Sequence, residues 1–235
     1  MTEPALGPPG PVPAHSLLTP DDCVLILIDY ESQMFFGVQS HDRQSIINNT
    51  VGLAKAARAF GVPTIVTTVY EKWFSGPMPA ALAALYAGDD VIDRSTMNPW
   101  EDRRVVDAVL ATGRRKVILA GLWTEVCVAL PALSAAAQGF EVYVVVDACG
   151  GTSLEAHQVA VQRMVQAGVV PVTWLQVLLE LQRDWARDST AAATRDVAME
   201  HAGAYGQGSA YVTYMFGQQA EATPQSVPTQ EVHAS

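Results

Sequence analysis

The chain has 235 residues, of which 49% are hydrophobic, and its formal net charge is −10. That apolar content supports one large domain with a sizeable core, and the acidity counts against nucleic acid or an anionic membrane as the main partner. Three cysteines without C-x-x-C spacing, and five histidines without a cluster, leave neither a disulfide framework nor a zinc site and fit a reduced compartment.

Residues 1–20 carry Pro4, Pro8, Pro9, Pro11 and Pro13 and read as an extended arm. They show neither the basic nor the apolar region of a secretory signal, and no apolar run approaches the roughly 20 residues needed to span a bilayer. A cytoplasmic protein is expected. Cys23 to Asp29 is continuously apolar up to its last residue, which predicts a strand buried on both faces. Ile46, Leu53, Ala57 and Phe60 recur at helical spacing over 42–60, and Gly61-Val62-Pro63 ends that helix. Thr64 to Val69 is a second strand, followed by a short helix near 79–86 and a brief strand at Val91-Ile92. A helix over 101–112 stops at Gly113, and the strand 116–121 leads into an Ala/Leu-rich helix that opens around Cys127 and ends at Gly139. Glu141 to Asp147 reads as another buried strand, 155–167 as a helix closed by Gly168, Val169 to Thr173 as a strand, and 175–188 as a helix.

Strands alternating with helices predict an α/β domain over 21–190, a parallel sheet with helices on both faces. Ligands then bind outside the carboxyl ends of the strands. Ala191 to His201 has helical character, and Ser209 to Phe216 is apolar and aromatic after a Gly-rich bend. Residues 191–217 are expected to be an oligomerisation arm, the alternative being a segment folded back on its own subunit. The polar tail 218–235 is expected to be disordered.

The chemistry concentrates at the sheet edge. Cys127, at the start of a helix, meets unpaired N–H groups and the positive end of the helix dipole, which predicts a thiol that titrates low and serves as a nucleophile. The plain alternative is a small buried hydrophobe. Asp29, at the end of the first strand, is nearly a hundred positions away in sequence, yet the topology brings it to the same edge. Asp147 and Cys149 lie at a strand end too and are rivals for the acid and thiol roles. His157 is expected on an exposed helix face. Pro131, a turn into the helix, cannot donate to the Cys127 carbonyl; this is either a tolerated kink or a feature of the site.

Three separated segments resemble the isochorismatase-like cysteine hydrolases, in particular their octameric, YcaC-like subgroup. They are the strand ending in Asp29, the stretch Asp93-Arg94-Ser95-Thr96-Met97-Asn98-Pro99-Trp100-Glu101-Asp102, and Thr124-Glu125-Val126-Cys127-Val128. The resemblance covers roughly residues 18–216. It implies a three-layer, Rossmann-like parallel sheet, with Cys127 as nucleophile, Asp29 as acid/base and a basic third member. It also implies a cis peptide at Leu122–Trp123, with the backbone N–H groups of Trp123 and Cys127 as oxyanion hole. The family's usual third residue is lysine; here Arg94 is best placed and Lys72 is the alternative. Nicotinamidases of this superfamily carry an Asp-x-His metal motif, but Val69-Tyr70-Glu71-Lys72-Trp73-Phe74 has no histidine, so neither a metal nor another cofactor is expected. Phe35, Glu71, Asn98 and Thr124 are expected to line the substrate pocket. Trp73, Phe36 and Trp100 are weaker candidates near it. The implied activity is hydrolysis of a C–N bond in a small amide, imide or carbamate-like molecule by a homo-oligomer, an octamer by resemblance. A non-catalytic or redox-sensing thiol protein on the same fold is the rival reading.

Overall fold

The computed structural model describes residues 17–220. Most of the expected arm over 1–20, and the tail from 221 onward, lie outside the described residues. Six strands form one parallel sheet: β1 (Cys23–Ile28), β2 (Thr64–Val69), β3 (Ile92–Arg94), β4 (Lys116–Gly121), β5 (Glu141–Val145) and β6 (Val170–Val172). Their order is β3-β2-β1-β4-β5-β6, the expected Rossmann-like arrangement. Every residue of β1 and β4 is buried, as their continuous apolar runs require of central strands covered on both faces. Pro171 is tolerated in β6 because that strand is an edge and needs no second ladder.

The helices are α1 (Ser32–Phe36), α2 (Arg43–Ala59), α3 (Ala80–Ala83), α4 (Arg103–Ala111), α5 (Ala129–Ala137), α6 (Leu154–Gln166), α7 (Trp174–Gln182), α8 (Asp188–His201) and α9 (Gly203–Ala220). Helix α2 packs with α7 and α8, whereas α5 packs on β5 and α6. Gly61, Gly113, Gly139 and Gly168 follow α2, α4, α5 and α6 with φ of 64, 66, 83 and 86°, so the predicted stops are left-handed closures that a side chain would strain.

Four local differences from the sequence reading have physical causes. Strand β5 ends at Val145 rather than Asp147, because residues 146–148 form a 3₁₀ turn and the Asp147 carboxylate accepts a hydrogen bond from the Trp174 N–H at 2.9 Å. Helix α7 stops at Gln182, since Arg183 takes a left-handed φ of 56°. Strand β3 runs to Arg94, placing that residue at the strand end. The glycines expected to make a bend before Ser209 lie inside α9: a Cβ on Gly206 would sit 2.4 Å from the Ala198 carbonyl oxygen, so glycine here serves close packing on α8. Among the described residues, no helix is long and apolar enough to cross a membrane.

Candidate active site

Strand order reverses its direction of travel at β1 and β4, where a doubly wound sheet opens a crevice. Ile28 and Gly121 are register partners, so the two strands end level. A Cβ on Gly121 would lie 2.4 Å from the Ile28 carbonyl oxygen, so only glycine lets the strands close at this point. Beyond Ile28, Asp29 adopts φ 55°, a left-handed conformation that Asp accommodates better than most residues. The Asp29 N–H donates to Thr67 of β2 at 2.9 Å, fixing the reversal of the chain.

Arg94 reaches across β2 to this carboxylate. Its Nη2 donates to Asp29 Oδ1 at 2.7 Å and Oδ2 at 2.6 Å, its Nε to Thr67 Oγ1 at 3.1 Å, and its Nη1 to the Thr96 carbonyl. Both side chains are fully shielded from solvent. The Cys127 thiol donates to Asp29 from the other side, and the Trp123 backbone N–H donates to the Cys127 sulfur. Asp29, Arg94 and Cys127 are thus joined in one buried chain of hydrogen bonds. Lys72 is exposed on the π-helical turn Glu71–Ser75.

Burial raises the Asp29 carboxyl to about 6, against the opposing pull of Arg94 and of the Cys127 hydrogen bond. The expected low-titrating thiol is overturned. Burial first, and then the negative charge of Asp29, push the Cys127 thiol well above its ordinary value. The local geometry differs from the expected helix start as well. Thr124–Val128 is a π-helical turn, and α5 begins only at Ala129. The Val128 N–H reaches back to the Trp123 carbonyl at 3.4 Å, so the turn is wider than an α-helical one. The Leu122–Trp123 peptide is cis. The Trp123 indole is held by a 2.8 Å hydrogen bond to the Met34 carbonyl and lies against Gly37, where a Cβ would meet the ring at 2.4 Å.

The four residues expected to line a pocket are placed differently from one another. Glu71 is exposed beside the site, with its backbone N–H bonded to Asp93 Oδ1 at 3.1 Å. Phe35 is a core residue, and its neighbour Phe36 is the exposed ring, 70% accessible. Asn98 is buried, accepting from the Trp100 N–H at 3.0 Å and donating to Ser134 Oγ at 3.1 Å. Thr124 is wholly buried, and its hydroxyl pairs with His157 Nδ1 at 2.9 Å. His157, expected on an exposed face, is therefore buried instead; burial, followed by the charge of His41, lowers its imidazole to about 4. The rivals recede: Asp147 caps α7, and Cys149 is fully buried with its thiol raised to about 12 by that burial. Among the described residues, no cluster of three or more His, Cys, Asp or Glu is arranged to hold a metal ion.

Sequence reasoning missed Glu31. It is fully buried, and its Oε1 accepts from the Val69 N–H at 2.8 Å and from Ser75 Oγ at 2.9 Å. The available signal was a second carboxylate two residues beyond Asp29, immediately after an uninterrupted apolar strand.

Comparison with known proteins agrees with this architecture. The isochorismatase domain model matches residues 23–176. The probable hydrolase YcaC of Escherichia coli (strain K12) is 38% identical over 178 residues, covering 75% of this chain and 86% of that protein. The solved structure of YcaC from Pseudomonas aeruginosa, with hexane-2,5-diol and covalent acrylamide, superposes with a TM-score of 0.80 at 34% identity, covering 86% of this chain and 98% of that one. The Escherichia coli YcaC structure, an octameric hydrolase of unknown specificity, gives 0.80 at 36% identity, with 85% and 98% covered. A domain match over most of the folded residues, with the same sheet and more than a third of residues identical to a hydrolase, leaves one assignment: this chain belongs to the isochorismatase family of hydrolases.

Proposed function

We propose that the protein is a cysteine hydrolase that cleaves a C–N bond of a small amide, imide or carbamate-like substrate, with Cys127 as nucleophile, Asp29 as acid/base and Arg94 as electrostatic support. The observation that carries this reading is the buried Arg94–Asp29–Cys127 hydrogen-bond chain at the switch point of the sheet. Ionised Asp29 takes the Cys127 proton, and the thiolate attacks the substrate carbonyl carbon. The resulting oxyanion lies against the backbone N–H groups of Trp123 and Cys127, each such donor being worth about 3 kcal/mol where measured in other enzymes. The tetrahedral species collapses to a thioester while Asp29 returns the proton to the leaving nitrogen. Water, deprotonated by Asp29, then attacks the thioester, and the Cys127 sulfur leaves and recovers its proton.

Arg94 bonds Thr67, Thr96 and Asp29, so it orients Asp29 and favours its ionised form, and a guanidinium is not a proton shuttle. A carboxyl near 6 is ionised at neutral pH yet close enough to it to give a proton back, as a general acid/base requires. The covalent acrylamide on the Pseudomonas aeruginosa relative supports nucleophilic chemistry in the family. A redox-sensing role fits less well: sensor thiols are exposed and titrate low, whereas Cys23, Cys127 and Cys149 are all buried with raised pKa values.

The octameric relative supports a homo-oligomer, and we propose that α9 contributes to the subunit contact, since Tyr211, Val212, Tyr214, Met215 and Phe216 are exposed on it.

A panel of small amides, ureides and carbamates, together with iodoacetamide labelling read by mass spectrometry, tests the mechanism. Cys127→Ser is expected to lose roughly 10³-fold or more in turnover. Wild-type Cys127 is expected to alkylate faster than Cys23 or Cys149, and Asp29→Asn to slow it. Loss of a mere neighbouring charge would instead speed alkylation by lowering the thiol pKa, so the sign separates a base from a bystander. Turnover surviving in Cys127→Ser rules out the covalent route.

A further inference from the structure

Glu31 Oε1 accepts from the Val69 N–H at 2.8 Å and from Ser75 Oγ at 2.9 Å. The side chain is fully buried, and its second oxygen, Oε2, has no hydrogen-bond partner among the described residues, an arrangement far costlier for a carboxylate than for a carboxylic acid.

We propose that Glu31 is a positioning residue held as a neutral carboxylic acid, which locks the Tyr70–Ser75 turn onto the Asp29 loop and leaves Asp29 as the single carboxylate charge in the buried site. The inference rests on the catalytic reading of that site for its consequence and on the burial of Glu31 and its bare Oε2 for its substance. Burial, and then the charge of Asp29, raise Glu31 to about 8. The groups around it leave that state unopposed. Strand β2 supplies only Thr67, Thr68 and Val69 near its end, and α1 has no titratable side chain. On the turn, Glu71 and Lys72 are exposed. From β3, Arg94 is engaged by Asp29, while the Asp93 carboxylate accepts from Thr68 Oγ1 and the Glu71 N–H. Among the described residues no cation is bonded to Glu31, and its neighbour in charge is Asp29.

The consequence is a limit on the alkaline side. When Glu31 ionises, a second negative charge appears beside Asp29. Asp29 then holds its own proton more tightly, which makes it a poorer proton donor to the leaving nitrogen.

Infrared titration of the wild-type protein reads the proton directly. A carboxylic-acid carbonyl band is expected at pH 7 and should convert to carboxylate as pH rises through about 8; it should be absent in Glu31→Gln and unchanged in Cys127→Ala. In parallel, Cys127 alkylation is followed from pH 6.5 to 9.5. The rate ratio of Glu31→Gln to wild type is expected to change on the order of tenfold across the upper half of that range, as the charge added beside the base Asp29 would dictate. No acid band at pH 7 in the wild type, or a ratio flat with pH, overturns the proposal. The wild-type titration needs no variant to fold. A band that titrates while Cys127 shows no preferential labelling would sink the nucleophile reading and leave the protonation of Glu31 standing.

Discussion

Arg94 gathers three separate parts of the chain, and its loss should be felt in stability before chemistry. Truncation to alanine would leave the Asp29 carboxylate buried without its partner, at an expected cost of about 3–5 kcal/mol in urea unfolding at neutral pH. Arg94→Lys should recover only part of this, because an ammonium cannot bond Asp29, Thr67 and Thr96 at once. Equal stability of Arg94→Ala and wild type would show that Asp29 is protonated in the resting protein. Glu31 makes a linked prediction with a definite sign. Its folded pKa lies above its ordinary value of 4.5, so its contribution to stability is fully present below 4.5 and is lost as pH rises through about 8. The melting temperature of Glu31→Gln relative to wild type should therefore rise between pH 5 and 9, and a constant difference would mean that Glu31 is ionised throughout.

The elements around the site were legible to different degrees. Strand ends could be read because a run such as Cys23 to Ile28 is apolar without interruption and then breaks at a charge. The end of β5 could not, because Asp147 leaves the sheet to cap α7, a helix 27 residues further on. The widened turn around Cys127 was hidden for the same reason: it is held from outside by the Gly150 carbonyl, which accepts from the Thr124 N–H, and by the Thr124–His157 pair. Gly121 is the sharpest test of this part of the fold. Gly121→Ala would drive a methyl group into the Ile28 carbonyl and Cβ, 2.4 and 2.6 Å away, with both strands already buried. A destabilisation of about 3 kcal/mol is expected in urea unfolding; a loss below about 1 kcal/mol would show that β1 and β4 can part without cost.

At the scale of the whole molecule, α9 is the exposed feature. It rests on α8 through Gly206, yet it turns Tyr211, Val212, Tyr214, Met215 and Phe216 outward, an apolar aromatic set unusual on a monomer's surface. Light scattering of the full chain should give a mass several times that of one subunit, and truncation after Ala202 should lower it. A truncated protein of unchanged mass would assign the subunit contact to another surface.

The sequence by itself determined the alternation of strands and helices, the parallel sheet and the placement of Asp29 and Cys127 at one edge. These follow from periodicity and from the topology that periodicity permits. Tertiary structure alone decided the protonation chemistry. Helix-start reasoning predicted a thiol that titrates low, because it counts only local dipoles. Burial and the Asp29 charge reverse the sign. The same desolvation, invisible in any short stretch of chain, also raises Asp29 and Glu31, and it withdraws Phe35, Asn98 and Thr124 into the fold. Which residues sit beside one another is written largely in pattern; what charge they carry depends on how much water the finished fold excludes.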